Sequence, residues 1–394
     1  METAVREPGL NRIGKFMRRG NRDLRLLSMG MFWAMFGFGA YSAAYNNFIV
    51  QILRLKPNEL GLVESLREIP GLIIFLVAAL TMQIAEPIVA SVALLLLGIG
   101  LGAFYGVSNL NSLVFWSVVW SLGVHTWMTV QPSMTLSLAN KGGQGRRLGQ
   151  LAAVSSLGTI LGMAVVMVFG NMIGLRAVFA VAGASCLIGA AACVPISRNI
   201  GHGEKPRLVF KAKYGLYYVL TFLEGCRKQV FMTFAVYLLV RNYHTPLIIV
   251  AGLMIFNNIV NLGTFEWVGK LIDRFGERRV LLVCNAAAVP VFIGYAAVGI
   301  PMLLYVLYCL DNFFFIGSIG STTYLHKIAK PQDLQPSLAM GVSFNHFAAV
   351  GVPLAGGLMW AKYGHAAAFY GGAAVVALSV IAVLGMNVST DKKQ

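Results

Sequence analysis

Residues 87–106, with the sequence PIVASVALLLLGIGLGAFYG, form a run of 20 residues without a charged side chain. An α-helix of about 20 apolar residues spans the hydrocarbon core of a bilayer. Similar apolar runs recur along the whole chain, separated by short stretches of Gly, Pro, Asn and charged residues. They are too long for outer-membrane barrel strands and lack the alternation of those strands. The sequence therefore predicts an all-α polytopic membrane protein.

The composition of the whole chain supports the same fold class. Of its 394 residues, 57% are hydrophobic and only 12% are charged, and the mean hydropathy is +0.72. Soluble globular proteins contain about 25% charged residues, so a soluble enzyme is not expected. The apolar runs predict twelve transmembrane helices near residues 24–52, 58–82, 87–106, 110–136, 147–170, 174–195, 213–241, 247–271, 279–298, 301–328, 336–361 and 364–388.

The basic residues are concentrated in the loops that would be cytoplasmic if both termini face the cytosol. Those segments hold 22 of the 31 Lys and Arg residues, whereas the opposite loops hold five. Cytoplasmic loops of membrane proteins carry such an excess. We therefore expect a multi-pass protein of a cell membrane, such as a bacterial inner membrane, with both termini cytoplasmic. Anionic lipid headgroups account for the net charge of +16, so no nucleic-acid partner is expected.

A polar stretch near the middle of the chain separates the predicted helices into two sets of six. A shift of 190 residues places Gly174 on Gly364 and Phe179 on Phe369 without gaps. Parallel repeats of this kind occur in transporters, whose substrate sites lie near the membrane midplane at the repeat interface. We predict a cytoplasmic arm at 1–23, a six-helix bundle at 24–196, a cytoplasmic linker at 197–212, a second six-helix bundle at 213–388 and a cytoplasmic tail at 389–394.

The segment between the eighth and ninth helices contains a recognisable motif. Residues 269–279 read GKLIDRFGERR, which resembles the G-x-x-x-D-R-x-G-x-R-R loop signature of the major facilitator superfamily. Glycine at the first position permits close helix approach, and glycine at the eighth permits a tight turn. The resemblance implies two pseudo-symmetric six-helix bundles and a gating loop that contacts the opposite half. The residues of that implied loop are Gly269, Asp273, Arg274, Gly276, Arg278 and Arg279.

The first half of the chain departs from the superfamily pattern. Its corresponding loop, around residues 82–87, has lost the Asp-Arg pair and both terminal arginines. The fourth helix lacks the arginine that many proton-coupled members carry, and the fifth helix lacks the glycine–proline motif of antiporters. Proton antiport is therefore not implied by the resemblance.

Two predicted helices carry the same pattern of ionisable residues at bilayer depth. Residues 64–68 read ESLRE in the second helix, and residues 224–228 read EGCRK in the seventh. Charges inside a membrane are costly and usually face a cavity or a partner. One interpretation is substrate binding or a protonatable network. The alternative is a salt bridge within each helix, Glu64 with Arg67 and Glu224 with Arg227 or Lys228, because residues three and four apart share a helix face.

Further polar residues at bilayer depth are candidates for substrate binding or coupling. Glu68 and Asp311 have no obvious local partner, which makes them the better candidates for proton coupling. His346 has a side chain that titrates near physiological pH, although a hydrogen-bonding role is the alternative. Asn257 and Asn261 lie four residues apart on the eighth helix. Interhelical hydrogen bonding is the alternative for these amides.

These features predict a secondary active transporter that moves a small organic solute by alternating access, with H⁺ as the candidate coupling ion. The sequence contains no P-loop, so ATP-driven pumping is not expected. The candidate ionisable residues, with histidine neutral, sum to a charge of minus one, which favours neither a polyanion nor a polycation. The expected partners are the solute and the lipid bilayer, and the protein is expected to be a monomer.

Three alternatives to this function remain open. The first is an organic-anion carrier that uses Arg227 and Lys228. The others are a non-transporting membrane receptor and a lipid-handling enzyme. The enzyme is disfavoured because the sequence has neither H-E-x-x-H nor G-x-S-x-G, and no metal or cofactor is expected. The identity of the solute, the direction of its transport and the favoured access state are not predicted.

Overall fold

The predicted all-α architecture is confirmed in the computed structural model, which describes residues 22–139, 143–200 and 210–386. Within these ranges there is no β-strand, and ten helices are long and apolar enough to cross a membrane. The predicted N-terminal arm up to residue 21, residues 201–209 of the linker and the tail from residue 387 lie outside the described residues.

Fifteen α-helices account for the described part of the chain. In the first half they are α1 (Arg22–Asn47), α2 (Pro57–Leu72), α3 (Ile74–Leu80), α4 (Glu86–Gly102), α5 (Leu110–Ser137), α6 (Gln144–Ile173) and α7 (Leu175–Cys193). In the second half they are α8 (Gly215–Val230), α9 (Val236–Tyr243), α10 (Leu247–Phe275), α11 (Glu277–Ala297), α12 (Pro301–Phe315), α13 (Ile319–Ile328), α14 (Pro331–Tyr363) and α15 (His365–Leu384).

Two predicted spans, 58–82 and 213–241, are not among the ten; the first is broken, and the second carries several charged residues as well as an irregular turn. The span predicted at 58–82 is divided between α2 and α3, because Pro70 near the end of α2 has no N–H to donate and the backbone leaves helical geometry at Ile73. The span predicted at 213–241 contains α8, a π-helical turn at Phe231–Ala235 and α9. Such π-turns are often found at functional sites.

The backbone extends the repeat seen in the sequence. Gly174 and Gly364 have φ angles of 83° and 85° and separate the last two helices of their halves. Arg54 and His244, which are also 190 positions apart, have φ angles of 54° and 52°. Few non-glycine residues adopt this left-handed region. The connections after the first helix and before the last helix therefore have the same backbone geometry in both halves.

One compact unit consists of the described residues of Met1–Ala44, Ile73–Val107 and Phe115–Glu204. An aromatic cluster lies at its centre, where the ring of Tyr41 is 5.0 Å from Trp120, 5.8 Å from Phe104 and 6.1 Å from Phe179. All four side chains are buried. Small residues elsewhere in this unit let helix backbones approach closely, which is a common packing mode in membranes.

The second compact unit consists of the described residues of Tyr45–Leu72, Ser108–Val114 and Lys205–Gln394. In this unit α2 packs tightly against α14, because a Cβ added at Gly61 would collide with the carbonyl oxygen of Pro353 and lie 3.2 Å from the Cα of Gly357. Residues 45–72 therefore belong to the same compact unit as the helices of the second half of the chain. The predicted boundaries of the two six-helix bundles, 24–196 and 213–388, stay predictions.

A buried carboxylate fixes the start of α14 within the second unit. Asp333 accepts hydrogen bonds from the side chains of Lys211, Lys213 and Tyr214, with distances of 2.6 Å from Lys213 and 2.9 Å from Tyr214. The hydrogen bond to Asp333 raises the pKa of the Lys213 ammonium. These contacts attach the chain that enters α8 to the first turn of α14. The sequence analysis did not single out Asp333, because its partners are more than a hundred residues away.

Candidate functional site

The charged pattern on α2 forms a connected network. Arg67 forms an ion pair with Glu64, to which it also donates a hydrogen bond of 2.8 Å, and lies 3.5 Å from Glu68. The hydroxyl of Tyr45 donates a second hydrogen bond of 2.8 Å to Glu64. Glu64 is buried, whereas Arg67 and Glu68 are half-buried. The Arg67 guanidinium therefore lies between the two carboxylates of α2.

His346 extends this network from α2 to α14. Its Nδ1 atom lies 3.5 Å from Oε2 of Glu68, and both side chains are largely enclosed, with 16% and 14% of their surface exposed. A proton on His346 would turn this contact into an ion pair between α2 and α14. The structure thus brings together Glu64, Arg67, Glu68 and His346, four of the predicted site residues.

The charged pattern on α8 is arranged differently, because Arg227 turns towards α11 and α12. Its guanidinium lies 2.8 Å from the Asp311 carboxylate, 3.1 Å from the backbone oxygen of the same residue and 3.5 Å from Oδ1 of Asn285. Arg227 and Asp311 are both buried. The partner of Asp311, which could not be identified locally, is thus 84 residues away in the chain. Asn285 is a member of this cluster that the sequence analysis missed, although it is an isolated amide within an apolar helix.

Glu224 and Lys228 do not form the salt bridge that was the alternative interpretation of this pattern. Instead, Glu224 accepts a 2.5 Å hydrogen bond from the hydroxyl of Ser321 on α13. Lys228 is half-buried, and within the described ranges no residue forms a hydrogen bond or ion pair with it. The three charged residues of this pattern on α8 therefore have different contacts. Arg227 forms an ion pair with Asp311, Glu224 forms a hydrogen bond with Ser321, and Lys228 forms neither with a described residue.

One of the two predicted amide residues on α10 connects this helix to α12. Asn261 accepts a hydrogen bond of 2.8 Å from the side chain of Asn312. Asn257 is buried, and its Oδ1 has no hydrogen-bond partner among the described residues. Asn261 thus makes the interhelical hydrogen bond that was its alternative role.

The predicted gating loop joins α10 to α11 at Gly276, whose φ angle of 82° provides the expected tight turn. The close approach expected at Gly269 is not found, because a Cβ there would meet no described atom within 4 Å. Arg278 donates a 2.8 Å hydrogen bond to the backbone oxygen of Leu384 at the end of α15.

The remaining loop residues are mostly exposed. Asp273, Arg274 and Arg279 are exposed, and the Arg274 guanidinium lies over the ring of Phe275 at 5.1 Å. Glu277, which the sequence analysis did not single out, is buried and lies 2.7 Å from the Lys327 ammonium at the end of α13. The loop therefore contacts α13 and α15 of its own unit, and its implied contact with the other half stays a prediction.

Comparison with known proteins identifies the family that has this fold. Residues 27–332 match the Major Facilitator Superfamily. Two solved structures of the nucleoside transporter NupG, one of them a point mutant, are similar to the chain, with TM-scores of 0.76 and 0.78 and sequence identities of 14% and 15%. Each alignment covers 93% of this chain and 100% of NupG.

A bacterial homolog of the human lysosomal transporter Spinster, in an inward-facing and occupied conformation, has a TM-score of 0.71 and 13% identity. That alignment covers 92% of this chain and 94% of the homolog. A comparison with curated proteins finds no match. At these identities the solved structures show the fold alone, whereas the family match spans more than half of the chain. The chain is a multi-pass membrane protein that belongs to the Major Facilitator Superfamily.

Proposed function

We propose that this protein is a secondary active transporter that carries a small organic solute by alternating access and couples its transport to protons. The observation that carries this proposal is the 3.5 Å contact between Glu68 on α2 and His346 on α14. The carboxylate and the imidazole lie on two different helices. They attract each other as an ion pair only when a proton is bound to the imidazole. Membership of a transporter family supports the broader function.

The coupling step follows from the charges of the network. With a neutral imidazole, the contact between Glu68 and His346 is not an ion pair. A proton on His346 adds an ion pair between α2 and α14, which strengthens the contact between the two helices. Loss of the proton weakens that attraction and favours separation of the helices. A proton can thus bias one access state, because it binds more favourably to one arrangement of the helices.

The cellular setting is proposed on the distribution of charge. The concentration of Lys and Arg in alternate loops supports a cell-membrane location with both termini cytoplasmic. We propose a monomer that acts without a cofactor or resident metal, with H⁺ as coupling ion, and that has no enzymatic activity. The gating role of residues 269–279 belongs to the same proposal and is supported by the resemblance of this segment to the superfamily motif.

The test uses purified protein in liposomes that contain a pH-sensitive dye. A panel of nucleosides, sugars, amino acids and carboxylic acids is added outside; nucleosides are included because NupG is named as a nucleoside transporter. We expect at least one solute to produce a pH change inside the wild-type liposomes. In Glu68→Gln and His346→Gln the pH change should be lost, whereas exchange of labelled solute against unlabelled solute should continue.

The matched control is Glu266→Gln. Glu266 is a carboxylate on α10 whose side chain is 76% exposed and pairs with Lys270, so the same chemical change there should leave the pH change intact. Solute transport without any proton movement in the wild-type protein would contradict the coupling mechanism. Full proton coupling in both Glu68→Gln and His346→Gln would show that the proton binds elsewhere.

The organic-anion carrier is a second candidate, supported by one observation. The sequence-based hypothesis of an organic-anion carrier assigned anion binding to both Arg227 and Lys228. The charge of Arg227 is, however, balanced by the Asp311 carboxylate at 2.8 Å. Lys228 has no such partner among the described residues. An organic anion would therefore interact with Lys228 rather than with Arg227.

A further inference from the structure

We propose that Lys228 on α8 and Asn345 on α14 bind the charged group of the solute, and that this solute is a small organic molecule with a single anionic group. This inference rests on the proposed transport function and names its substrate class. It also assigns to Asn345 a role that the sequence pattern did not indicate.

The first argument concerns the charge of Lys228. This residue lies near the middle of the predicted span 213–241, where an unpaired charge is unfavourable. The neighbouring Arg227 has a buried carboxylate as its partner, and Glu224 is hydrogen-bonded to Ser321. Lys228 has neither an ion pair nor a hydrogen bond within the described ranges. A half-buried ammonium that forms no ion pair with a described residue at this depth is suited to binding an anion.

The second argument places Asn345 beside the same part of α8. A Cβ added at Gly225 would lie 3.0 Å from Nδ2 of Asn345 and 3.0 Å from Cβ of Ala348, so Gly225 faces α14 directly. Lys228 follows Gly225 by three residues and therefore lies one turn further along the adjacent face of α8. Asn345 is half-buried, and its side chain also has no hydrogen-bond partner within the described part of the chain.

Two other residues about one turn from Lys228, one on α8 and one in the π-helical turn that follows it, contact α12 and α13. Glu224, four residues before it, bonds to Ser321 on α13, and Phe231, three residues after it, stacks on Tyr308 of α12 with ring centroids 5.1 Å apart. Lys228 consequently lies on the face of α8 that has α12 and α13 on one side and α14 on the other. An ammonium and a carboxamide N–H there can both donate to one carboxylate, sulfonate or phosphate group, and such charge-assisted hydrogen bonds are strong.

The position of Glu224 limits the charge of the solute. Its carboxylate lies one turn from Lys228 on the same face of α8, and its hydrogen bond with Ser321 fixes it at α13. A second negative charge on the solute near this carboxylate would be repelled. The local charge of Glu224 and Lys228 sums to zero, so the site favours a monoanion or a zwitterion with one anionic group over a polyanion.

The test is a thermal-unfolding screen of the purified full-length protein with matched pairs of probes. Each pair contains a monoanion and its neutral counterpart, such as benzoate with benzamide, lactate with lactamide, and ethanesulfonate with ethanesulfonamide. The variants are Lys228→Gln, Lys228→Arg and Asn345→Ala. The matched control is Lys362→Gln, which removes one positive charge from an exposed position near the C-terminal end of α14. Gel filtration and the unfolding temperature without probe establish that each variant is folded.

We expect at least one anion, but not its neutral counterpart, to raise the unfolding temperature of the wild-type protein. Its affinity should fall by about 10- to 100-fold in Lys228→Gln, fall less in Asn345→Ala, and persist in Lys228→Arg and Lys362→Gln. Stabilisation by neutral probes only, no stabilisation by any anion, or anion binding that survives in Lys228→Gln would each overturn the proposal.

The outcomes separate this inference from the proposed function. Anion binding that requires Lys228, combined with transport that moves no protons, would refute the proton coupling and leave the anion site intact. Proton-coupled transport of a solute that binds equally well to Lys228→Gln would preserve the transporter and refute the anion site.

Discussion

The buried ion pair between Arg227 and Asp311 allows a quantitative prediction for Asp311→Ala. The substitution removes the carboxylate but leaves Arg227 with the backbone oxygen of residue 311 at 3.1 Å and Asn285 at 3.5 Å. Both remaining hydrogen-bond acceptors are neutral, so the buried guanidinium loses its direct ion-pair partner. Removing one partner of a buried pair costs about 3–5 kcal/mol. We expect the free energy of unfolding to fall by that amount.

The double variant Arg227→Leu/Asp311→Ala tests whether the cost arises from the unpaired charge. Because it removes both charges, it should be more stable than Asp311→Ala alone, with a coupling energy of about 2 kcal/mol or more. The measurement is denaturant-induced unfolding in mixed detergent micelles, monitored by tryptophan fluorescence. Asp273→Ala is the matched control, since Asp273 is exposed, and it should change the free energy by no more than about 0.5 kcal/mol.

Two results would refute this explanation. The first is a loss of less than about 1 kcal/mol in Asp311→Ala, which would mean that Arg227 is already compensated by other groups. The second is a double variant whose loss equals the sum of the two single losses. Additivity would show that the two charges do not interact in the folded protein.

Three further substitutions test the packing of α2, α9 and α10. Gly61→Ala places a Cβ against the backbone of Pro353 and should lower the free energy of unfolding by about 1–3 kcal/mol. Gly263→Ala, at a position with no described atom near the added Cβ, should raise it by about 0.5–1 kcal/mol; chemical denaturation of both variants distinguishes the two signs. Tyr237→Phe removes a 2.7 Å hydrogen bond to the backbone oxygen of Leu55 and should cost about 1 kcal/mol in the same assay.

The sequence was sufficient to predict the helical architecture because a bilayer imposes a minimum length on each apolar run. It also revealed the repeat, since Gly174 and Gly364 occupy the same connection in the two halves. The interruptions were not predictable in the same way. The π-helical turn Phe231–Ala235 lies in an apolar segment whose residue types do not differ from those of a regular helix.

The sequence pointed to the charged residues of the candidate site, but not to the amides Asn285 and Asn345 and not to the contacts among these residues. Sequence spacing reports neighbours three and four residues apart, and it therefore suggested that Glu224 pairs with Arg227 or Lys228. The tertiary partners Asp311 and Ser321, which lie 84 and 97 residues away, replaced these local pairs. Two segments with the same E-x-x-R spacing consequently have different contacts, and only the packing of the helices distinguishes them.

Both networks of charged residues reach α14 at consecutive positions, since Asn345 belongs to the proposed anion site and His346 to the proposed proton site. A positive charge on His346 next to Asn345 should strengthen anion binding, and bound anion should in turn favour the protonated imidazole, because coupling between two binding events is reciprocal. We expect the affinity for the stabilising anion to rise by about 5-fold or more when His346 gains a proton as the pH is lowered. Anion titrations of the wild-type protein and of His346→Gln at a series of pH values measure this coupling. Equal pH dependence in the two proteins would show that the two sites bind independently, although they share one helix.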